Sequence, residues 1–502
     1  MPLDVTSQDE GKQRRTWAVA VRGVQPPSDM AEYLSGWREF FDHYAALQSG
    51  WRLRNRGYHA NIRRLTQFYC QPGSTVLEVG CGTGDLLAAL EPSAGVGIDI
   101  SGEMIQRAQE KHPELTFYRM AAEEIELGDQ KFDYIILSDL VSFLYDIKLV
   151  FERLRKFCHP GTRLVVHSYS RLWQPLLVTA EKLKLKYPQP LLNWTAPEDI
   201  ANLLYLAGYD TIYTHKHILV PQQIPLLSNF FNRYVAHLPG VRHLCLTNWV
   251  IASPVNLPVA YGRPTVSVIC PCRNEAGNIE QIAARLPALG SRTELIFVEG
   301  HSQDNTLDQC HRVKEQFPNQ NISVYVQPGK GKGDAVRLGF SKAGGEILMI
   351  LDADISVNPE DLEQFYVAAT SGRGDLINGS RLVYAMDPKA MRFLNVLGNK
   401  FFALLLSRLV SQPIKDTLCG TKVLSRRNYE RIARGRVYFG DFDPFGDFDL
   451  LFGAAKLNLK IVEIPVRYRQ RVYGTTNISR FADGWLLLRM CRLAASKLYF
   501  VG

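Results

Sequence analysis

Two successive runs of alternating strand-like and helix-like segments constrain the fold of this chain more than any other feature. In the first run, the apolar strand-like stretches are residues 75–79, 95–100, 134–137 and 163–167. In the second run, they are residues 266–270, 295–298, 323–327 and 347–351. Such alternation is typical of parallel strands joined by crossover helices. We therefore predict an α/β protein with two doubly wound domains.

Length and proline content predict the domain boundaries. A chain of 502 residues is too long for one ordinary core. Prolines cluster between residues 221 and 264, but the stretch 244–252 is apolar enough for a buried strand and is assigned to the first domain. We expect a polar N-terminal extension at residues 1–30 and a first domain at 31–253. A linker at 254–264 then leads to a second domain at 265–480 and an amphipathic C-terminal helix at 481–502.

Composition narrows the class of protein. With 46% hydrophobic and 22% charged residues the chain is globular, and its net charge of +8 fits either ordinary surface charge or attraction to phosphates and anionic membranes. None of the nine cysteines forms a CxxC pair, which indicates reduced thiols rather than a disulfide frame or a zinc site. The first sixteen residues lack the apolar core of a signal peptide. We expect a cytoplasmic protein without a nucleic-acid partner.

A glycine-rich loop follows the first strand. Glu78, Gly80, Gly82 and Gly84 mark a turn in which the backbone can approach a ligand before it enters a helix. Asp99 ends the next strand, where a carboxylate can accept the two hydroxyls of a ribose. This spacing alone fits either S-adenosylmethionine (SAM) or NAD.

The following motifs favour SAM. Glu123 follows the third strand, at the position expected for an adenine contact, and the fourth strand ends in Asp139. Residues 65–252 thereby resemble the class I SAM-dependent methyltransferases, which implies a Rossmann-like domain with SAM as cofactor. The resemblance implies that residues 78–84 hold the methionine part, Asp99 the ribose and Glu123 the adenine.

The methyl acceptor is not readable from the pattern. His167, Tyr169 and Trp194 are pocket candidates that fit a core position equally well. Two functions stay open for the first domain. It either methylates an unidentified acceptor, with a glycan as one candidate, or serves as a non-catalytic SAM-binding or scaffolding module.

Polar residues also end the strands of the second run. Pro271, Asn274 and Glu275 follow its first strand and Glu299 ends its second, so both can receive a nucleotide. Lys332 lies in a Gly-Lys-Gly-Lys-Gly stretch that opens a helix, which suits a phosphate.

An Asp-x-Asp motif closes the fourth strand of this run. Asp352 and Asp354 are two residues apart, and together they can share one hard cation such as Mg²⁺ or Mn²⁺ that bridges to a diphosphate. Such a motif is common in solvated turns. Here it follows a nucleotide loop and a Lys-Gly loop in order, which strengthens the interpretation.

Residues 265–479 resemble family 2 glycosyltransferases of the GT-A fold, and in particular those that act on dolichol phosphate and polyprenyl phosphate. The resemblance implies an inverting transfer from a UDP- or GDP-sugar to a lipid-phosphate or glycan acceptor. It implies a nucleotide-sugar site at Pro271, Asn274, Glu275, Glu299, Lys332 and Asp352, with Asp352 and Asp354 as metal ligands. The chain departs from the family in having Glu-Gly-His-Ser at 299–302 instead of Asp-Asp-Gly-Ser.

Two later segments are candidates for the acceptor side. Asp447 and Asp449 are predicted to be catalytic bases or acceptor-orienting groups. Arg467, Arg469 and Arg471 share one face of a predicted strand and could hold an acceptor phosphate, or could simply be solvated.

The C-terminal segment 485–500 has basic residues at helical spacing in an otherwise apolar stretch. It is predicted to lie on the cytoplasmic face of a membrane as an amphipathic helix, so the protein would be peripheral. The alternative is a terminal helix packed on its own domain.

Overall fold

The computed structural model describes residues 29–255, 262–381, 393–439, 446–466, 473 and 480–500, apart from 184, 188, 190–192 and 194. These residues form two compact units that divide between Pro254 and Val255. Each unit contains one seven-stranded sheet with helices packed on it.

The first unit opens with two helices and continues as alternating strands and helices. In chain order its elements are α1 (Met30–Arg54), α2 (Arg56–Tyr69), β1 (Thr75–Val79), α3 (Asp85–Ala89), β2 (Ala94–Asp99), α4 (Gly102–Lys111), β3 (Thr116–Arg119), β4 (Phe132–Ser138), α5 (Ile147–Leu154), β5 (Cys158–Tyr169), α6 (Gln174–Lys182), α7 (Pro197–Leu206), β6 (Tyr209–His217), α8 (Leu227–Arg233) and β7 (Thr247–Pro254).

The first sheet has the strand order β3-β2-β1-β4-β5-β7-β6. Strands β1 to β5 are parallel, as the alternation predicts. Strand β7 runs antiparallel to both β5 and β6, so this side of the sheet is mixed. All residues of β7 are buried, because it lies between two strands, and this accounts for its apolar sequence.

Helices α1 and α2 belong to this unit. Asp29 caps α1, since its Oδ1 accepts a hydrogen bond from the Ala31 backbone N–H at 2.9 Å. In α2 the buried residues Tyr58, Ile62, Leu65 and Tyr69 recur at helical spacing, so that one face packs on the core.

The second unit also alternates strands and helices along the chain. Its elements are β8 (Val266–Cys272), α9 (Ile279–Arg285), β9 (Thr293–Glu299), α10 (Thr306–Gln316), β10 (Asn321–Val326), α11 (Lys332–Lys342), β11 (Ile347–Ile350), α12 (Leu362–Thr370), β12 (Leu376–Ser380), α13 (Phe393–Val410), β13 (Lys422–Ser425), α14 (Arg426–Gly435), α15 (Phe448–Lys456), β14 (Ile461–Pro465) and α16 (Arg480–Ala494).

The second sheet has the strand order β10-β9-β8-β11-β13-β12-β14. Strands β8 to β11 are parallel, which brings their carboxyl ends to one edge. Strand β13 is antiparallel to β11 and β12, so this sheet is mixed as well.

The C-terminal helix α16 has two different faces. Leu487, Met490 and Ala494 are buried, and α16 packs against α13. Arg489 and Arg492 are exposed. The helix is thus packed on its own unit, as in the alternative interpretation, while its basic side stays in solvent. Among the described residues, no helix is both long enough and apolar enough to cross a bilayer.

Candidate active sites

The glycine loop after β1 contacts the end of β2. Gly80, Gly82 and Gly84 all have positive φ, at 75°, 52° and 72°, a backbone region that side chains rarely allow. The Gly82 N–H donates to Asp99 Oδ2 at 2.8 Å, and the Ser101 N–H donates to Asp99 Oδ1 at 2.9 Å. The loop and the carboxylate at the end of the next strand therefore form one site.

Glu78 is buried at the base of this loop. Its Oε2 has no hydrogen-bond partner among the described residues, and the side chain is only 3% exposed. Burial raises the pKa of Glu78 to about 8, although Arg52 opposes the shift. Burial also raises the pKa of Asp99 to about 6, against the hydrogen bonds from Ser101 and Gly82. A cation or a hydrogen-bond donor beside either carboxyl group would stabilise its charged form and oppose this rise in pKa.

Glu123 and Glu124 have different environments. Glu123 is buried and accepts a hydrogen bond from the Tyr145 N–H at 2.8 Å, whereas Glu124 is exposed. Glu123 lines a cavity of about 410 Å³ together with Gly80, Gly82 and Asp99. Every residue predicted for the cofactor therefore lies at one cavity, except for Glu78 and Gly84. Glu78 lines the adjoining cavity beside the same loop, and Gly84 ends the loop.

A polar cluster lies at the end of β4, and two of its members, Asp139 and His167, were named from the sequence, whereas Tyr58 was not. The Tyr58 hydroxyl donates to Asp139 Oδ2 at 2.8 Å and lies 3.3 Å from His167 Nε2. His167 Nδ1 lies 3.4 Å from Asp139 Oδ1. Burial, and next the charge of Asp139, raise the pKa of Tyr58 well above its usual value, so Tyr58 keeps its proton. Burial lowers the pKa of His167, with Asp139 opposing, so His167 is neutral near pH 7.

Asp139 is the accessible member of this cluster. It lies at the junction of the two cavities, and its backbone has a positive φ of 56°. The acidic end of β4 was a sequence signal for this position, but Tyr58 lies on α2, which precedes every recognised motif. Tyr169, an open candidate, stacks on Tyr58 with ring centroids 5.7 Å apart. Trp194 lies outside the described residues.

Helix α1 covers the same site. Arg52 donates to Thr83 Oγ1 at 3.0 Å and pairs with Asp85 at the start of α3. The lining of the 410 Å³ cavity is rich in aromatic side chains, among them Trp37, Phe41, Tyr44, Tyr169, Trp173 and Tyr187.

The predicted nucleotide loop in the second unit is tied to the end of β9. The Asn274 N–H donates to Ser302 Oγ at 3.0 Å, and Asn274 Oδ1 accepts from the Gln303 N–H at 2.7 Å. Glu299 is buried and closes the same turn by accepting from the Ser302 N–H at 2.5 Å. Glu275 is buried too, and accepts from Asn278 Nδ2 at 2.7 Å. Pro271 is partly exposed within β8.

The Asp-x-Asp motif lies against the lysine loop. Lys332 Nζ and Asp352 Oδ1 are 2.6 Å apart. Burial alone would lower the pKa of Lys332, but the carboxylates of Asp352, Asp447 and Asp354 outweigh it, and the pKa is raised. A Cβ atom at Gly420 would overlap Asp352 Oδ2 and Lys332 Nζ, so the glycine leaves room for this ion pair as it stands.

Asp354 completes the motif. It is 7% exposed and accepts from the Ser356 N–H at 3.0 Å. No cluster of three or more metal-ligating side chains occurs within the described ranges. Two carboxylates nevertheless fit Mg²⁺ or Mn²⁺, since such ions are commonly held by one or two carboxylates together with substrate phosphates.

The two candidate bases have different partners. Asp447 pairs with the fully buried Lys422 at 2.9 Å, and a Cβ atom at Gly446 beside it would lie 2.8 Å from Gly333 Cα at the start of α11. Asp449 pairs instead with Arg436 at 2.7 Å. The structure therefore brings Asp447, but not Asp449, toward the Lys332–Asp352 pair. Arg467, Arg469 and Arg471 lie outside the described residues.

Two family models match this chain. One, a methyltransferase domain, covers residues 71–208, and the other, glycosyl transferase family 2, covers residues 267–433. This chain joins a methyltransferase domain to a family 2 glycosyltransferase domain. The first unit accordingly has the Rossmann-like fold and the second the GT-A fold.

Curated relatives resemble the glycosyltransferase half. The low-salt glycan biosynthesis hexosyltransferase Agl6 of Haloferax volcanii is 27% identical over 45% of this chain and 52% of its own length. A dolichol-phosphate mannosyltransferase of Pyrococcus furiosus is 28% identical over 42% of this chain and 59% of its own length. A dolichyl-phosphate beta-glucosyltransferase of Saccharomyces cerevisiae is 27% identical over 41% of this chain and 67% of its own length. The chain therefore spans about half to two thirds of the length of these relatives.

The buried Glu78 generates a stability prediction. Its pKa rises from 4.5 to about 8 on folding, so the folded state binds more protons than the unfolded state between these values, and stability falls as pH rises through this range. Glu78→Gln should stabilise the ligand-free first unit by about 1–3 kcal/mol at pH 8 and by much less at pH 5. Urea unfolding at both pH values measures this. The exposed Glu124→Gln is the control, and equal effects of the two variants would contradict the assignment.

Proposed function

We propose that the chain is a bifunctional enzyme. Its second unit, assigned to residues 265–480, transfers a sugar from a UDP- or GDP-sugar to an acceptor with the help of a divalent cation. Its first unit, assigned to residues 31–253, methylates an acceptor with SAM. The observation that carries the sugar-transfer proposal is the Lys332–Asp352 pair at the carboxyl edge of a sheet whose neighbouring strand ends carry Asn274 and Glu299.

The donor would lie along this edge. The loop at Asn274 and the end of β9 at Glu299 are adjacent, and they form the proposed seat of the nucleoside, together with Pro271 and Glu275. A bound divalent cation would neutralise the charge that develops on the nucleoside diphosphate as it leaves. Asp352 and Asp354 would hold that cation, and Lys332, at the start of α11, would hold the diphosphate.

Lys332 also explains how the site tolerates two acidic residues without a cation. Its ammonium pairs with Asp352 and feels the charges of Asp447 and Asp354. The lysine and a divalent cation would therefore compete for Asp352. A bound diphosphate would offer Lys332 a second partner, and Asp352 would then be available to hold the cation.

We propose a lipid phosphate as the sugar acceptor. The curated relatives from Pyrococcus furiosus and Saccharomyces cerevisiae are named for dolichol phosphate. A phosphate is already ionised, so the transfer needs positive charge rather than a general base. Arg467, Arg469 and Arg471 are the proposed phosphate holders. Asp447, held by Lys422, is then proposed to orient the acceptor. The exposed Arg489 and Arg492 of α16 suit a peripheral position on the cytoplasmic face of a membrane.

SAM fits the first unit. Its amino group would give Glu78 Oε2 the partner that it lacks, Asp99 would hold the ribose, and Glu123 would border the adenine. SAM supplies an activated methyl group. Asp139 lies where the two cavities meet, and would accept the proton that an acceptor hydroxyl or amine loses as it is methylated. The presence of this base favours a catalytic first unit over a scaffold.

Cation binding should depend on the nucleoside diphosphate. Mn²⁺ should bind weakly to the protein alone, because Lys332 occupies Asp352, and tightly when UDP or GDP is added. Loss of the free Mn²⁺ signal in electron paramagnetic resonance measures this. Asp352→Asn and Asp354→Asn should lose this binding and lower sugar transfer by about 100-fold or more, whereas the exposed Glu360→Gln should not. Full activity of Asp352→Asn would refute the metal assignment.

The proposed role of Asp139 separates catalysis from binding. The affinity of Asp139→Asn for SAM should stay within about twofold of the wild-type value. Its transfer of label from methyl-labelled SAM to the lipid and glycan fractions of a lysate should be about 10²–10⁴-fold slower. Calorimetry and extraction measure the two properties, and the exposed Asp129→Asn is the control. Unchanged transfer would remove Asp139 from the mechanism, and absence of transfer in the wild type would favour the scaffold.

A further inference from the structure

Exposed apolar side chains are concentrated in two segments of the first unit. Helix α6 has no buried residue, although four of its nine residues are Leu, Val or Pro. Leu226, which precedes α8, is 88% exposed and has a positive φ of 61°. We call the surface that these two segments form the apolar-basic face. Its exposed apolar members are Leu172, Leu176, Leu183, Leu185, Leu226, Leu227, Phe230, Leu238 and Leu244.

The two segments, residues 172–185 and 226–244, meet where Trp173 contacts Leu244. Trp173 Nε1 donates to the Leu244 carbonyl oxygen at 2.7 Å, and the Ser170 N–H donates to the Leu246 carbonyl oxygen, also at 2.7 Å. Single exposed apolar residues are ordinary, whereas an adjoining set of this size marks a surface that is covered by a partner or a membrane.

The charge of this face selects among possible occupants. The sequence contains no Asp or Glu between Asp210 and Glu275. The exposed charged residues on the face itself are basic, namely Arg171, Lys182, Arg233 and Arg242. The nearby Glu181 is paired with Lys186 at 2.7 Å. Apolar side chains surrounded by basic ones match a bilayer with anionic headgroups, where the chains insert and the cations remain at the headgroups.

The face continues into the methyltransferase cavity. Leu176 and Leu185 belong to the face and also line the 410 Å³ cavity, together with Trp173 and Leu177. The same cavity reaches Asp99 and Asp139. A molecule that is anchored in the bilayer beneath the face therefore has an apolar path toward the residue proposed to act as the base.

We propose that the methyltransferase unit itself docks on an anionic bilayer through the apolar-basic face, and that its methyl acceptor is held in that bilayer. This rests on the proposed methyl transfer. It differs from the membrane contact proposed for α16, because it uses other residues in the other unit.

Site-specific fluorescence tests the docking. All cysteines are buried, so a single NBD label can be placed in the full chain at Phe230→Cys, at Leu176→Cys, or at the exposed Glu110→Cys on α4 as a control. With vesicles of phosphatidylcholine and phosphatidylglycerol, the first two labels should shift to the blue and brighten severalfold, and salt should reduce the effect. The control label should not change.

Three results would overturn the docking. Vesicle binding without a shift at 230 would mean that the protein binds only through another surface, while the α16 proposal would stand. A shift that needs no vesicles and grows with protein concentration would assign the face to a second copy of the chain. An absence of vesicle binding would exclude both membrane contacts.

A second measurement tests the acceptor. Vesicles made from a total lipid extract of the host membranes are incubated with the full chain and methyl-labelled SAM. The label should enter the organic phase, and Leu226→Asp with Phe230→Asp should reduce it severalfold without changing the affinity for SAM. Label confined to the aqueous phase would overturn the lipid-held acceptor but leave methyl transfer intact. No label in either phase, with SAM bound, would contradict both.

Discussion

Parallel strand pairing is the constraint on which both sites depend. In the first unit β1 pairs in parallel with β2 and β4, and in the second unit β8 pairs in parallel with β9 and β11. This arrangement brings the carboxyl ends of neighbouring strands to one edge, where the chain leaves the apolar core. Asp99 reaches the glycine loop for this reason, and Asp352 reaches the same edge as Asn274. The rest of each unit serves to bury these strands and to keep their ends aligned.

The two sites differ in how the charge of their buried carboxyl groups is compensated. In the first unit Oε2 of Glu78 has no hydrogen-bond partner among the described residues, and burial raises the pKa of Glu78, so the ligand-free site carries a penalty that a cationic ligand would relieve. In the second unit Lys332 already neutralises Asp352, and Lys422 does the same for Asp447. The first site would therefore favour a positively charged group, whereas in the proposed function the second would exchange its Lys332–Asp352 ion pair for contacts with a diphosphate and a cation.

Sequence patterns predicted the parts of each site that are local along the chain. The glycine loop, Asp99, and the Asp352 and Asp354 pair all follow a strand directly, so their neighbourhood is set by a few residues. Tyr58 and Arg52 could not be predicted, because they lie on helices with no motif of their own and reach the site only through tertiary packing. The antiparallel direction of strands β7 and β13 could not be predicted either, because strand direction depends on the path of the connection and not on the apolar pattern. The pairing of Asp449 with Arg436 likewise depends on a contact that spacing does not reveal.

Two-ligand calorimetry distinguishes a chain with two independent transfer sites, as proposed, from a chain with only one. The wild-type protein should bind one SAM, and one UDP or GDP in the presence of Mn²⁺. Asp99→Ala should abolish the first binding event and leave the second unchanged, and Asp352→Ala should do the reverse. Failure of either ligand to bind the wild type, or loss of both binding events in one variant that remains folded, would exclude two independent sites.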